Sequence, residues 1–114
     1  MESINKEKVQ EALALFLNQD VYLHLETTNG AYTAFNDTGT LSVGAYIRNG
    51  KIKYSIGKIT GVGPYRVGLK IDLGWVYAEG LTDWELDDKG RLLLAGYHAN
   101  GKLGAALQLS KEPF

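Results

Sequence analysis

Cysteine is absent from the 114-residue sequence, and proline, methionine and tryptophan are rare. The absence of cysteine excludes disulfides, thiolate-bound zinc, iron–sulfur clusters and a cysteine nucleophile. It is also typical of a protein in a reducing compartment. A chain of this length buries roughly two-thirds of its unfolded surface, so residues 1–114 can fold as a single domain without a metal or a disulfide.

Neither sign of charge dominates, since 12 basic and 13 acidic residues give a net charge of -1. That balance leaves no general footprint for nucleic acid, and aromatic and basic residues do not interleave along the sequence as a coherent face. No apolar run approaches the roughly 20 residues of a membrane helix, and the charged N-terminus lacks the apolar core of a signal peptide. We therefore expect a cytoplasmic protein with neither nucleic acid nor a membrane as partner.

The first predicted element is an amphipathic helix over about residues 5–18. Its apolar residues recur with helical spacing and form one stripe: Val9, Ala12, Leu13, Phe16 and Leu17. Ser3 or Asn5 can cap its start, because a short polar side chain accepts from the unpaired N–H groups of the first turn. A helix this short is not stable alone, so the stripe is expected to dock on a sheet.

After Asp20 the apolar period changes from 3.6 to 2. Alternating residues with turn signals every 8–12 residues or so predict about eight or nine short antiparallel strands over residues 21–110. Fourteen glycines, several inside predicted strands, favour strongly bent sheets. The predicted fold class is mainly β, with one N-terminal helix followed by hairpins in a barrel- or sandwich-like arrangement.

Asn–Gly pairs predict three hairpin turns, at Asn29–Gly30, Asn49–Gly50 and Asn100–Gly101, because both residue types tolerate the positive φ of a type I′ turn. Further turn clusters stand at residues 36–39 and 87–90. The middle Asn–Gly turn would create three apolar pairs on one face: Ile47 with Ile52, Ala45 with Tyr54, and Val43 with Ile56.

One candidate metal site combines both histidines of the chain. His24 and Glu26 alternate on a predicted strand, so their side chains project from the same face about 7 Å apart. With His98 they would provide two imidazoles and a carboxylate, a set that suits a transition metal. The alternative interpretation is that His24 and Glu26 lie on the wetter face of a strand, and no His-Glu-x-x-His motif supports the metal site.

Aromatic residues and arginines suggest a second, ligand-binding surface. Its candidate residues are Trp75, Tyr77, Trp84, Tyr97, Arg66 and Arg48. Either arginine could bind a carboxylate with two parallel hydrogen bonds. Nearby Glu79 and Glu85 add carboxylates beside aromatic rings, as in sugar-cleaving enzymes. The alternative interpretation places both tryptophans in the core, because large aromatic residues supply much of the buried area of a small domain.

Several runs of the sequence are distinctive as a set: His24–Tyr32, Gly44–Asn49, Thr60–Lys70, Gly74–Leu81, Gly90–Gly96 and the Pro113–Phe114 end. Together they resemble the YojF family of small, uncharacterised bacterial proteins over nearly the whole chain. The resemblance implies an all-β fold with bent sheets and no assigned activity. Family members are often encoded beside a zinc-dependent deacetylase of the pathway to bacillithiol, a cysteinyl-glucosamine-malate, and this chain lacks the His-Pro-Asp-Asp motif of such deacetylases.

Three functions follow as hypotheses. The first is an accessory or interaction protein that works beside the deacetylase, with a homodimer as the default assembly. The second is a binding module for a sugar or a thiol-glycoside. The third is a metal-dependent enzyme that uses His24, Glu26 and His98. No motif decides whether the protein is an enzyme, and no cofactor is expected.

Overall fold

A computed structural model describes residues 1–27 and 44–114 of the protein. Its elements are β1 (Glu2–Ser3), α1 (Lys6–Ala14), β2 (Val21–Thr27), β3 (Ala45–Ile52), β4 (Ile56–Thr60), β5 (Tyr65–Ile71), β6 (Gly74–Leu81), β7 (Asp83–Leu86), β8 (Leu92–Tyr97) and β9 (Leu103–Ser110). The prediction of a mainly β fold with one N-terminal helix is confirmed.

The described strands form two antiparallel sheets and not a closed barrel. A six-stranded sheet has the order β1-β7-β8-β9-β2-β3, and a three-stranded sheet has the order β4-β5-β6. Apolar side chains from both sheets and from α1 form one core, which includes Val67 and Leu69 of β5 and Leu94 and Leu107 of β8 and β9. The arrangement is therefore sandwich-like, as one form of the prediction stated.

Helix α1 begins where the sequence predicts and ends earlier. The Asn5 side chain accepts a hydrogen bond of 3.1 Å from the backbone N–H of Lys8, which caps the first turn. After Ala14 the backbone N–H groups of Leu15, Phe16 and Leu17 bond to carbonyls three residues back, so the helix tightens into turns. Phe16 is still only 1% exposed. Within the described residues, no helix has the length and apolarity to cross a membrane.

The hairpin predicted at Asn49–Gly50 is wrong. Both residues lie inside β3, which continues to Ile52 and pairs along β2. Ile52 is opposite Val21 and Ala45 is opposite Thr27, so the predicted pairs of Ile47 with Ile52 and of Ala45 with Tyr54 do not form. The third predicted pair involves Val43, which lies outside the described residues, as do the turns predicted at Asn29–Gly30 and at 36–39.

The positive φ of Asn49 serves a β-bulge instead of a turn. Leu23 pairs with Gly50 and Leu25 pairs with Ile47, so the intervening His24 faces two residues of β3. Asn49 has a φ of 56° in this bulge, and its side-chain amide exchanges two hydrogen bonds with the backbone of Phe114, of 2.7 and 3.2 Å. Asn tolerates this backbone region better than most residues, which is why the same signal fits a turn and a bulge.

The two later hairpins form where they were predicted, but the second turn is not type I′, because only Gly101 and not Asn100 has a positive φ. The loop at residues 87–90 joins β7 to β8, and Asn100–Gly101 joins β8 to β9. Asp87 organises the first loop, because its carboxylate accepts from the backbone N–H groups of Lys89 and Arg91 at 2.9 and 2.8 Å. In the second loop Gly101 has a φ of 84°, a value that favours glycine.

Candidate functional site

An open groove of about 840 Å³ runs where the two sheets meet. The described residues that line it are Thr27, Pro64, Arg66, Tyr77, Glu79, Gly80, Thr82, Gly96, Tyr97, His98, Gly104 and Ala105. Its volume falls in the range of small-molecule sites. Two of the lining residues, Gly96 and Gly104, are glycines that permit close approach of backbone or ring, and seven lining residues carry a polar or aromatic side chain.

Glycines bring the strands together beneath this groove. A Cβ atom on Gly96 of β8 would lie 2.2 Å from the carbonyl oxygen of Gly80 on β6, so only glycine fits there. A Cβ on Gly104 of β9 would lie 2.6 Å from Nε2 of His98, so the imidazole rests against this glycine. The first contact joins the six-stranded sheet to the three-stranded sheet, and the second holds the His98 ring against β9.

Arg66 enters the groove from a bulge between β5 and β6. Tyr65 pairs with Leu81 and Val67 pairs with Ala78, so Arg66 faces two residues of β6, Glu79 and Gly80. A bulge bends the strand and redirects its side chains, which is why bulges are frequent beside functional sites. Here it places the Arg66 guanidinium against the Glu79 carboxylate as an ion pair and 5.1 Å from the centre of the Tyr77 ring.

Tyr97 and His98 reach the groove from the end of β8. A second register shift lies between Gly96 and Tyr97. The Thr82 hydroxyl accepts a hydrogen bond of 3.1 Å from the Tyr97 backbone N–H and so fixes the end of the strand. His98 starts the β8–β9 turn, where its backbone N–H donates to the Lys102 carbonyl at 2.8 Å. These hydrogen bonds fix the backbone of both residues, and so the positions from which their side chains reach the groove.

The structure brings together only part of the predicted ligand-binding surface. Arg66, Tyr77 and Tyr97 line the groove, and the exposed Trp75 ring lies next to Tyr77. Trp84 is only 8% exposed and belongs to the core, as the alternative interpretation stated for it. Arg48 is on β3 and does not line the groove.

His24 and its neighbours form a separate cluster on the six-stranded sheet. One guanidinium nitrogen of Arg48 lies 3.4 Å from Nδ1 of His24, and this imidazole nitrogen must accept because arginine only donates. Glu26 lies 3.8 Å from Nε2, and the rings of Tyr46 and Phe114 contact the imidazole edge to face. His24 is thus packed among these side chains and 6% exposed.

The predicted metal set is not assembled in the described part of the chain. His98 lines the groove, whereas His24 and Glu26 are on β2. No group of three His, Cys, Asp or Glu side chains among residues 1–27 and 44–114 is arranged to hold a metal ion. An arginine beside Nδ1 of His24 also disfavours a cation at that nitrogen, because like charges repel.

Sequence reasoning noted Glu79 as one acid among several and did not identify Gly80, Gly96 or Gly104 as site residues. The available signal was the glycines inside strands, which predicted bends without saying where two sheets would touch. Contact of β6 with β8 and β9 is not visible in a local pattern, because it depends on how the two sheets pack.

The sequence profile of a family described as "Protein of unknown function (DUF1806)" matches residues 3–114, so the chain belongs to this family. It is 51% identical over 114 residues to the uncharacterised protein YojF of Bacillus subtilis (strain 168), and the match covers 100% of this chain and 98% of that protein. The crystal structure of Bacillus subtilis YojF is similar, with a TM-score of 0.82, 49% identity and coverage of 99% of this chain and 95% of that one. The predicted resemblance is confirmed.

Proposed function

We propose that the groove binds a small polar molecule that carries a ring and a carboxylate, the class to which a sugar acid or a thiol-glycoside such as bacillithiol belongs. The supporting observation is the convergence of Arg66, Tyr77, Glu79, Tyr97 and His98 on one open groove of about 840 Å³. Polar groups of this variety around two phenol rings are typical of a site that orients a hydroxylated ring. The proposal is a binding function and assigns no reaction.

The Arg66–Glu79 pair supplies the charge recognition. Its side chains are 53% and 61% exposed, so the ion pair contributes little to folding and can be rearranged at small cost. A ligand carboxylate can take the Arg66 fork in a bidentate contact. Glu79 is then available to accept hydrogen bonds from ligand hydroxyl or amino groups. The two charges therefore suit a ligand with one acidic end and several donors.

The aromatic and imidazole groups supply the contacts to the ring. Tyr77 is 50% exposed and Tyr97 is 43% exposed, so each offers ring surface and a hydroxyl. His98 adds a group that donates or accepts according to its tautomer. Because these side chains come from β6, β8 and the β8–β9 turn, a ligand that contacts all of them bridges the two sheets.

Calorimetric titration with bacillithiol and with its acetylated precursor tests the proposal. We expect saturable binding to the protein, and we expect Arg66→Gln to weaken it roughly 10-fold or more, because a hydrogen bond to a charged group contributes about 1.5–3 kcal/mol. Arg48→Gln is the matched control, since Arg48 lies outside the groove lining, and it should bind as the parent does. Equal loss in both variants, or no heat with either compound, would refute the proposal.

The accessory role beside a deacetylase stays a prediction, and it requires a protein complex and not a bound small molecule. If neither compound binds and the purified deacetylase instead forms a stable complex with this protein, the accessory role gains the support that the groove proposal loses. Sedimentation of the protein alone measures whether it is a homodimer. A change in deacetylase turnover on addition of the protein would show that the complex has a consequence.

A further inference from the structure

The outer surface of the three-stranded sheet carries aromatic and basic side chains together. We refer to Lys58, Arg66, Lys70, Trp75 and Tyr77 as the aromatic–basic face; all five are exposed. Strand register brings them together, because Lys58 is opposite Gly68, which is opposite Tyr77. Along the next row Lys70 is directly opposite Trp75. Side chains on directly paired residues share one side of a sheet.

Trp75 and Tyr77 form a stacked aromatic pair. Their rings are within 9° of parallel, with centroids 5.6 Å apart. Both lie over Gly68, where an added Cβ would come within 2.8 Å of the Tyr77 ring and 3.5 Å of the Trp75 ring. The glycine thus lets the rings rest on the sheet, and they remain 44% and 50% exposed. Half-exposed aromatic rings held in fixed positions are suited to stacking.

The strands that carry these rings have a small excess of positive charge. Between Ile56 and Leu81 the chain has three basic and two acidic residues, although the whole chain has a net charge of -1. Neither Lys58 nor Lys70 forms an ion pair with a carboxylate in the described part of the chain. Of the two acids, Glu79 is paired with Arg66, and Asp72 lies in the turn between β5 and β6.

We propose that the aromatic–basic face binds single-stranded nucleic acid. Its bases would stack on Trp75 and Tyr77, and its phosphates would contact Lys58 and Lys70, which are the two components of sequence-tolerant single-strand recognition. A duplex does not suit the face, because paired bases hide their ring surfaces in the stack. This inference goes beyond the proposed groove function and depends on Trp75, Lys58 and Lys70, none of which lines the groove.

Neither the net charge of the chain nor the order of its residues predicts this surface. The lysines are on β4 and β5, and the aromatic residues are on β6. An aromatic–basic pattern therefore exists across three strands and not along any one of them. The expectation that nucleic acid is not a partner depended on the linear pattern and on net charge, and neither reports the composition of a single sheet face.

Fluorescence anisotropy with a labelled oligothymidylate of about 15 nucleotides tests the inference, since OB-fold domains that bind single strands cover about 4–16 nucleotides. We expect saturable binding that weakens as salt rises. Trp75→Ala should reduce affinity roughly 10-fold, and Trp75→Phe should restore most of it. The double variant Lys58→Gln, Lys70→Gln should lower the salt slope by about 1.4, because each lost phosphate contact in a single-strand complex removes roughly 0.7.

The matched control is the double variant Lys89→Gln, Lys111→Gln, which removes two exposed lysines away from the aromatic–basic face. It should bind as the parent does, and fluorescence of the buried Trp84 shows that each Trp75 variant is folded. The inference is overturned by absence of binding at low salt, by equal affinity for a duplex of the same length, or by a folded Trp75→Ala variant that binds as the parent does. Titration with bacillithiol in parallel separates this result from failure of the groove proposal.

Discussion

One side chain of α1 closes the edge of the three-stranded sheet. Strand β4 is an edge strand in the described sheet, and such strands have backbone groups without a strand partner. The Gln10 amide nitrogen donates to the Gly57 carbonyl at 2.7 Å, and its oxygen accepts from the Ile59 N–H at 3.0 Å. The amide therefore pairs with β4 as a neighbouring strand would, and it also ties the helix to the sheet.

Gln10→Ala should destabilise the fold measurably. The variant loses two hydrogen bonds, each contributing about 0.5–1.5 kcal/mol, and leaves the two partly buried backbone groups to find water. We expect a loss of about 1–2 kcal/mol in the free energy of unfolding, because access of water to β4 returns part of the hydrogen bonding. Urea unfolding measures this loss as a lower midpoint at unchanged slope.

Two control variants separate the edge contact from effects on the helix itself. Gln10→Glu keeps the acceptor for Ile59 but places a carboxylate oxygen against the Gly57 carbonyl oxygen, so at neutral pH it should not recover the stability of the parent. Glu11→Ala changes an exposed neighbouring residue and should alter stability by less than about 0.5 kcal/mol. If Gln10→Ala is as stable as Glu11→Ala, the edge contact does not stabilise the fold and the reasoning is refuted.

Two further perturbations test the packing of the helix and the β7–β8 loop. Phe16→Ala should cost about 3–5 kcal/mol in urea unfolding, since the ring is 1% exposed; a loss below about 0.5 kcal/mol would contradict its docking. Hydrogen bonds, first from the Arg91 backbone and then from its side chain and Lys89, lower the pKa of Asp87. The ionised Asp87 carboxylate therefore stabilises the fold above about pH 4, and this contribution is lost as the pH falls below that value. The free energy of unfolding of Asp87→Asn should differ most from that of the parent at neutral pH. A difference that does not change with pH would contradict this.

The parts of the fold that depend on local chemistry follow from the sequence. The apolar stripe of α1, the Asn5 cap and the hairpin loops at 87–90 and 100–101 are each set by residues close together in the chain. The prediction of a hairpin at Asn49–Gly50 is wrong because an Asn with positive φ suits a bulge as well as a turn. What distinguishes them is the partner of β3, and that partner is β2, more than 20 residues earlier for most of the pairs.

The candidate site likewise has a part that the local sequence predicts and a part that depends on how the sheets pack. Alternation along β6 correctly keeps Trp75, Tyr77 and Glu79 on one face. Trp84 has the same residue type and a similar neighbourhood in sequence, yet it is buried, because β7 belongs to the other sheet and turns this ring into the core. Its indole N–H has no hydrogen-bond partner there among the described residues. Which sheet a strand joins therefore decides which tryptophan is exposed to a ligand. The local sequence pattern does not reveal which sheet that is.

Arg66 and Tyr77 belong to both surfaces, and the residues that belong to only one surface make the two proposals separable. Arg66 lines the groove and also belongs to the aromatic–basic face, whereas Trp75 belongs only to the face and His98 only to the groove. Arg66→Gln should then weaken the binding of both bacillithiol and oligothymidylate. Trp75→Ala should weaken the binding of the oligonucleotide only. A ligand that responds to Arg66 and to His98→Ala but not to Trp75 is in the groove, because those two side chains meet only there.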